Sequence, residues 1–299
     1  MTLPRQILPD SVYLLSRRCT QRQFLLKPSP LMNSIFLYCL AVAAEKYHVQ
    51  IHAFVVLSNH YHAVATDTRG NIPRFMAHLN KLTAKCVNAS LGRWENVWAV
   101  EQPSLVKPEE NLDVLGKMVY ALTNPVSSFL VERSSLWPGL RMDPSDLLRG
   151  TLEAPRPKIF FREDGPMPAM AKLTLTVPEA YSHMSREEFV ALLERSVEAR
   201  EDELREQARR DGIRFLGLKR IARQHPTSRP RSREPRRNLN PRVAAKNKWR
   251  RIEALQRLKQ FLADYREAWL RWKQGFHDVI FPAGTYAMVQ NHNVACASP

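Results

Sequence analysis

His60 and His62 are the residues whose type and spacing most directly suggest chemistry in this chain. They stand one residue apart within the stretch 51–67, with Phe54, Val55, Val56 and Leu57 before them and Ala63, Val64 and Ala65 after. Side chains alternate along an extended strand, so two histidines at this spacing project from one face and are placed to grip one ion together. The alternative is a pair without an ion, exposed or hydrogen-bonded to neighbours. Inside an apolar run either version needs partners, because unsatisfied polar groups are costly to bury. A second group follows at 117–126, where Lys117, Tyr120 and Asn124 lie in a helical pattern that runs into Pro125. Tyr120 and Asn124 are four residues apart, hence on one helix face and about 6 Å apart along the axis, with Lys117 three residues earlier on the same side. Pro125 is expected to stop the helix and to bias Asn124 away from helical geometry. A structural tyrosine with a C-cap asparagine explains that segment alone; beside the histidines it reads as part of one site.

The combination Leu57-Ser58-Asn59-His60-Tyr61-His62 with Tyr120-Ala121-Leu122-Thr123-Asn124-Pro125-Val126 resembles the single-tyrosine HUH transposases, in particular the branch of REP-associated tyrosine transposases. The opening segment adds to the likeness, since Tyr13-Leu14-Leu15-Ser16-Arg17-Arg18 and Gln21-Arg22-Gln23-Phe24 look like that family's first strand and basic turn. Ser58 stands where the family usually carries proline, and Tyr61 where it carries an aliphatic residue; the Tyr61 side chain should point away from the metal face. The likeness covers about the first half of the chain.

By this resemblance His60, His62 and Asn124 are expected to hold Mg²⁺ or Mn²⁺, although histidine ligands by themselves also suit zinc or nickel. Tyr120 is expected to attack a phosphodiester of single-stranded DNA, on a strand bearing a hairpin, to give a 5′-phosphotyrosine and a free 3′-hydroxyl. The stored ester energy then allows rejoining, as in transposition. Arg17, Arg18, Arg22 and Lys117 are expected to contact nucleic acid. A homodimer is compatible with the sequence, which does not fix the copy number. Two other readings stay open: a nucleic-acid-binding protein that has kept the scaffold and lost cleavage, and a metal-dependent hydrolase that uses water.

The charge supports a polyanionic partner. Of 299 residues, 45 are Lys or Arg and 29 Asp or Glu, giving +16 and a pI near 10.0. More of the excess lies in the second half, and basic charge alone fits RNA, a ribosome or an anionic membrane as well as DNA. No apolar run approaches the roughly 20 residues needed to span a bilayer, and the start of the chain lacks a secretory pattern, so a cytoplasmic protein is expected. Cys19, Cys39, Cys86 and Cys296 form no Cys-x-x-Cys pair, and buried free thiols are expected.

The elements that must position these residues read as an α+β fold: an antiparallel sheet with helices on its faces, by resemblance the ferredoxin-like HUH endonuclease fold, followed by a mainly helical basic C-terminal region. Strand residues begin at 12–16, and Ser29 caps a helix with Pro30 in its first turn. The segments 50–57 and 61–66 form either a hairpin or one bent strand. His52 shares a face with His60 if no bulge intervenes; otherwise it is a surface histidine. Asn71 is the candidate cap of a second helix, and Trp94 and Trp98 are either core residues or platforms on which bases stack, the core being the preferred assignment. Prolines between 147 and 168 suggest a junction, so residues 1–150 are taken as the catalytic domain and 151–299 as the C-terminal region. There Ser185 and Glu188 have capping-box spacing. The stretch 223–242, with seven arginines, reads as a mobile segment adding salt-sensitive affinity for phosphates. A long helix follows at 247–273.

Overall fold

The computed structural model describes residues 3–231 and 241–298. Its centre is a sheet built from β1 (Ser11–Arg18), β2 (Val49–Val56), β3 (His60–Asp67) and β4 (Ser104–Pro108), with α1 (Pro30–Tyr47) between β1 and β2 and α2 (Ile72–Leu91) between β3 and β4. The order β2-β3-β1-β4 is antiparallel at every step, which is the interleaved β-α-β-β-α-β connectivity of ferredoxin-like sheets. The segments 50–57 and 61–66 therefore form a hairpin, closed at its tight turn by Leu57 N–H donating to His60 O at 2.8 Å.

Ser29 Oγ accepts from Met32 N at 3.1 Å with Pro30 in the first turn, and α1 ends where His48 turns left-handed at φ 56°. The start of α2 corrects the expectation for Asn71, whose side chain caps nothing. Buried Asp67 does the work instead, its carboxylate accepting from the N–H groups of Arg69, Asn71 and Ile72 at 3.3, 2.7 and 2.8 Å. A carboxylate reaches an additional turn residue that an asparagine already inside the turn does not.

The sheet has two unlike faces. Tyr61 points to the helical side, edge-on to Phe36 at 5.0 Å and donating to Asn80 Oδ1 at 3.0 Å. The histidines on either side of it point to the other face, which is covered by α3 (Asn111–Leu122) packed on β2 and β3. A short turn, α4 (Asn124–Ser127), follows directly.

His52 matches neither expectation. A bulge between Ile51 and Ala53 shifts the register there, and His52 is fully buried. Its Nδ1 faces Thr176 O and its Nε2 faces Thr66 Oγ1, each at 2.7 Å. A carbonyl only accepts, so Nδ1 carries the proton and Nε2 accepts the threonine hydroxyl. Both nitrogens are spent. Trp94 also departs from its assignment: it is 89% exposed, while Trp98 is half-buried and donates to Asn80 O at 2.8 Å.

The core does not stop at residue 150. After α5 (Asp146–Arg149), β5 (Thr151–Pro155) and β6 (Met170–Thr174) form a separate antiparallel pair, and α6 (Arg186–Arg210) follows behind its Ser185–Glu188 capping box. One continuous buried cluster runs from Ile7 through Leu173 and Leu175 to Phe189 and Leu193. The prolines read as a junction sit in and beside the hairpin, where Pro155 ends a strand. Beyond α7 (Leu218–Ala222), positions 232–240 of the arginine-rich stretch lie outside the described residues. The described part before them is docked, with Phe24 N–H donating to Ser228 O at 2.9 Å.

The chain then returns to the sheet. β7 (Val243–Ala244) pairs in parallel with β4, and α8 (Lys248–Lys273), capped by Asn247, and α9 (Ala287–His292) complete the chain. On α8 the buried positions are Ala254, Phe261 and Ala268. Among the described residues Cys19, Cys39 and Cys86 are buried free thiols and Cys296 is exposed. No helix among them is long and apolar enough to cross a membrane.

Candidate active site

β3, α3 and the turn α4 that follows it bring His60, His62, Tyr120 and Asn124 together on the face of the sheet that α3 covers. The His60 and His62 rings stand 5.0 Å apart, and the His62 ring is 5.2 Å from the Tyr120 ring. Asn124 Oδ1 lies 3.3 Å from His60 Nε2. Pro125 does not end the helical path as expected. Thr123 breaks it at φ −87°, ψ 3°, and Asn124 opens a new turn with Pro125 in the first-turn position where its missing N–H costs nothing. Asn124 is buried, while Tyr120 is 45% exposed.

Proton counting shows what the imidazoles lack. Burial pushes the His60 pKa down to about 4; Asn124 opposes this, and the charges of Arg18 and Arg22 add to it. The neutral ring has one N–H. Its Nδ1 is 2.7 Å from Asn59 Oδ1, an oxygen that only accepts, so the proton belongs there. Nε2 then presents a lone pair to Asn124 Oδ1. That amide is oriented by its other neighbours: Ser128 Oγ donates to Oδ1 at 3.4 Å, and an Asn124 hydrogen bond stabilises the phenolate form of Tyr120. His62 is likewise held well below its usual pKa, first by burial and then by His60 and Arg18. Its Nδ1 is buried with no hydrogen-bond partner. A lone pair on His60 Nε2 and an unpartnered ring nitrogen on His62, on rings 5.0 Å apart, are unmet polar groups of the kind a cation would satisfy.

Two neutral imidazoles and an amide oxygen make a neutral three-donor set. Among the described residues no three His, Cys, Asp or Glu side chains stand together. Imidazole donors suit Zn²⁺, Ni²⁺ or Fe²⁺ best and bind Mn²⁺ more readily than Mg²⁺, which favours oxygen ligands, and three ligands would leave coordination positions free.

Tyr120 is pushed above its ordinary pKa by burial, against the hydrogen bond from Asn124 and the charge of Arg18. Lys117 Nζ lies 6.0 Å from the Tyr120 ring centroid. Arg18 is opposite His60 in the β1–β3 register, and Arg22 acts on the same ring. Arg17 does not join them. Opposite Tyr61, it faces the other side of the sheet and clips the carbonyls of Ala99, at 2.7 Å, and Glu101. The period of two that aligns His60 with His62 separates Arg17 from Arg18.

Asn59 is the residue the sequence reading passed over. Its Oδ1 fixes the His60 tautomer and its Nδ2 donates to Arg22 O at 3.2 Å, tying the hairpin turn to the basic turn after β1. Residues 21 and 22 both have positive φ, 48° and 61°, which aims that carbonyl. Adjacency to His60 was its only signal.

No family model and no curated protein matches the chain. Among solved structures it is similar to a REP-associated tyrosine transposase bound to a REP hairpin, with 18% identity and a TM-score of 0.42 over 50% of this chain and 87% of that one. It is also similar to a Deinococcus radiodurans protein assigned as a transposase, with 15% identity and a TM-score of 0.27 over 36% of this chain and 85% of that one. Likeness at this level leaves the functional reading to the side chains of the site.

Proposed function

We propose that this protein cleaves and rejoins single-stranded DNA, with Tyr120 as the nucleophile and a divalent cation held by His60, His62 and Asn124. The observation that carries the reading is the meeting of a half-exposed phenol with two neutral imidazoles, the His62 and Tyr120 rings being 5.2 Å apart and His62 Nδ1 lacking a hydrogen-bond partner. A merely structural tyrosine has no need of such neighbours. The sequence resemblance to HUH single-tyrosine enzymes points the same way, and the connectivity of the sheet is the one that resemblance implies.

In the cleavage step a bond forms between Tyr120 Oη and phosphorus as the bond from phosphorus to the 3′ oxygen breaks. The phenolic proton goes to water and the departing oxygen gains one, leaving a 3′-hydroxyl and a 5′-phosphotyrosine. Rejoining is the same exchange in reverse with a second 3′-hydroxyl, and needs no ATP because the ester is conserved. Asn124 donates to the phenolic oxygen and so favours its charged form. Lys117 and Arg18 place positive charge beside it. When bound, the cation supplies Lewis-acid stabilisation of the charge on the phosphate oxygens.

Incubation with a labelled hairpin-bearing strand and Mn²⁺, followed by denaturing electrophoresis, tests the reading. A denaturant-resistant adduct that disappears in Tyr120→Phe, with strand binding retained, is expected. Binding without adduct across varied sequences would indicate a binder that no longer cleaves, and cleavage undiminished in Tyr120→Phe a hydrolase using water.

A further inference from the structure

We infer that the segment joining β7 to α8 carries a phosphate contact for a DNA strand bound at Tyr120, made by Lys246 acting with Lys117. This rests on the functional reading above and gives the returning C-terminal chain a part in it. Lys107 N–H donates to Arg242 O at 2.8 Å and Glu109 N–H to Ala244 O at 3.0 Å, so β7 is fixed along the edge of β4. The next anchor is on α3 itself: Lys246 N–H donates to Asp113 Oδ1 at 2.9 Å, while Asp113 Oδ2 accepts Glu110 N–H at 3.2 Å within the capping box of that helix. A buried carboxylate thus ties the backbone of Lys246 to the first turn of the tyrosine helix.

From that anchor the lysine side chain crosses α3. Its Cε lies 3.8 Å from where a β-carbon on Gly116 would stand. Gly116 and Tyr120 are one turn apart on the same stripe, about 6 Å along the axis, with Lys117 next to them. The Lys117 pKa is lowered first by burial and further by Lys246, against Asp113, which places the two ammonium groups within electrostatic reach of each other. Neither closes an ion pair among the described residues, whereas Arg250 and Arg257 on the neighbouring helix are engaged by Glu110, Glu253 and Glu109. Asp113 is occupied by two backbone N–H groups. Two adjacent cations that repel one another, one turn from the proposed nucleophile and closing no ion pair among the described residues, with Asp113 offsetting the charge of Lys117 only in part, are what a phosphodiester would bridge.

The test uses the full-length Tyr120→Phe protein, so that bound strand is not consumed, and a fluorescein-labelled oligothymidylate followed by anisotropy over a series of KCl concentrations. Lys246→Gln and Lys117→Gln should each reduce the slope of log affinity against log salt by about 0.7, the value for one single-strand phosphate contact. Lys246→Arg should keep the slope, and Lys172→Gln, on the exposed side of β6, should leave it unchanged. An unaltered slope in Lys246→Gln, with the parent protein still binding, overturns this inference alone. An equal fall in Lys172→Gln also overturns it, since Lys246 would then be one surface charge among many. If the parent shows no salt-dependent binding of the strand, the functional reading fails and takes the inference with it.

Discussion

At the scale of single residues, what the candidate site can bind depends on which nitrogen of His60 carries its proton. Asn59 Oδ1, 2.7 Å from Nδ1, settles that and leaves Nε2 free to bind. Asn59→Ala should therefore weaken Mn²⁺ binding by about 10- to 100-fold, the usual effect of removing a group that orients a metal-ligating histidine. Asn59→Asp, which keeps the acceptor, should recover most of it. Titration followed by the Mn²⁺ electron paramagnetic resonance signal reads both; unchanged affinity in the alanine variant would refute the positioning role. His52 makes a separate prediction. Burial pushes its pKa down to about 4, while in the unfolded chain it takes a proton near 6.5. Between those values the unfolded state binds more protons, so stability falls as pH drops through the window and levels off below it. The full effect is about 3 kcal/mol for a group displaced by this much. Urea unfolding at several pH values, compared between the parent protein and His52→Gln, isolates this residue from the other buried histidines. Parallel curves would contradict it.

At the scale of elements, the caps and turns divide by the distance over which their causes act. The Ser29 cap, the Ser185–Glu188 box and the common face of Tyr120 and Asn124 were legible because spacings of three and four residues determine them. The Asp67 cap was not, because its carboxylate reaches forward from the end of one strand into the next helix. Asp67→Ala should cost roughly 2 kcal/mol, as loss of a buried helix cap does, and Asn71→Ala close to nothing; thermal unfolding of the pair decides, and equal losses would restore Asn71 as the cap. His52 and Asn59 escaped for the same reason. Their partners at Thr176 and Arg22 lie on other elements, and a strand pattern carries no record of them. Gly116 gives a further test. It has ordinary helical backbone and room for a β-carbon, so Gly116→Ala should stabilise the protein by about 0.5–1 kcal/mol, visible as a raised denaturation midpoint. A drop would mean that the path of Lys246 across the helix is tighter than described.

For the whole molecule, the sheet and the meeting of His60, His62, Tyr120 and Asn124 were readable in the first half of the sequence, and the way the second half packs against them was not. Prolines between 147 and 168 look like a linker by composition, yet the hairpin they punctuate and α6 behind it supply Leu173, Leu175, Phe189 and Leu193 to the same buried cluster as the strands. Residues 1–150 expressed alone should therefore fail to unfold cooperatively, whereas a stable fragment with a sharp transition would support a domain boundary at 150. The returning chain at β7 closes the edge of β4, an edge that would otherwise be free to pair with another molecule. It also sets Lys246 over the tyrosine helix. The central claim is that the phenol of Tyr120 takes the phosphate, and mass-spectrometric mapping of protein incubated with a hairpin-bearing strand and Mn²⁺ tests it most directly. A nucleotide 5′-phosphate on the peptide containing Tyr120, absent when the metal is chelated, is the predicted result. Phosphate found on a different residue, or cleaved strand with no modified peptide at all, would contradict it.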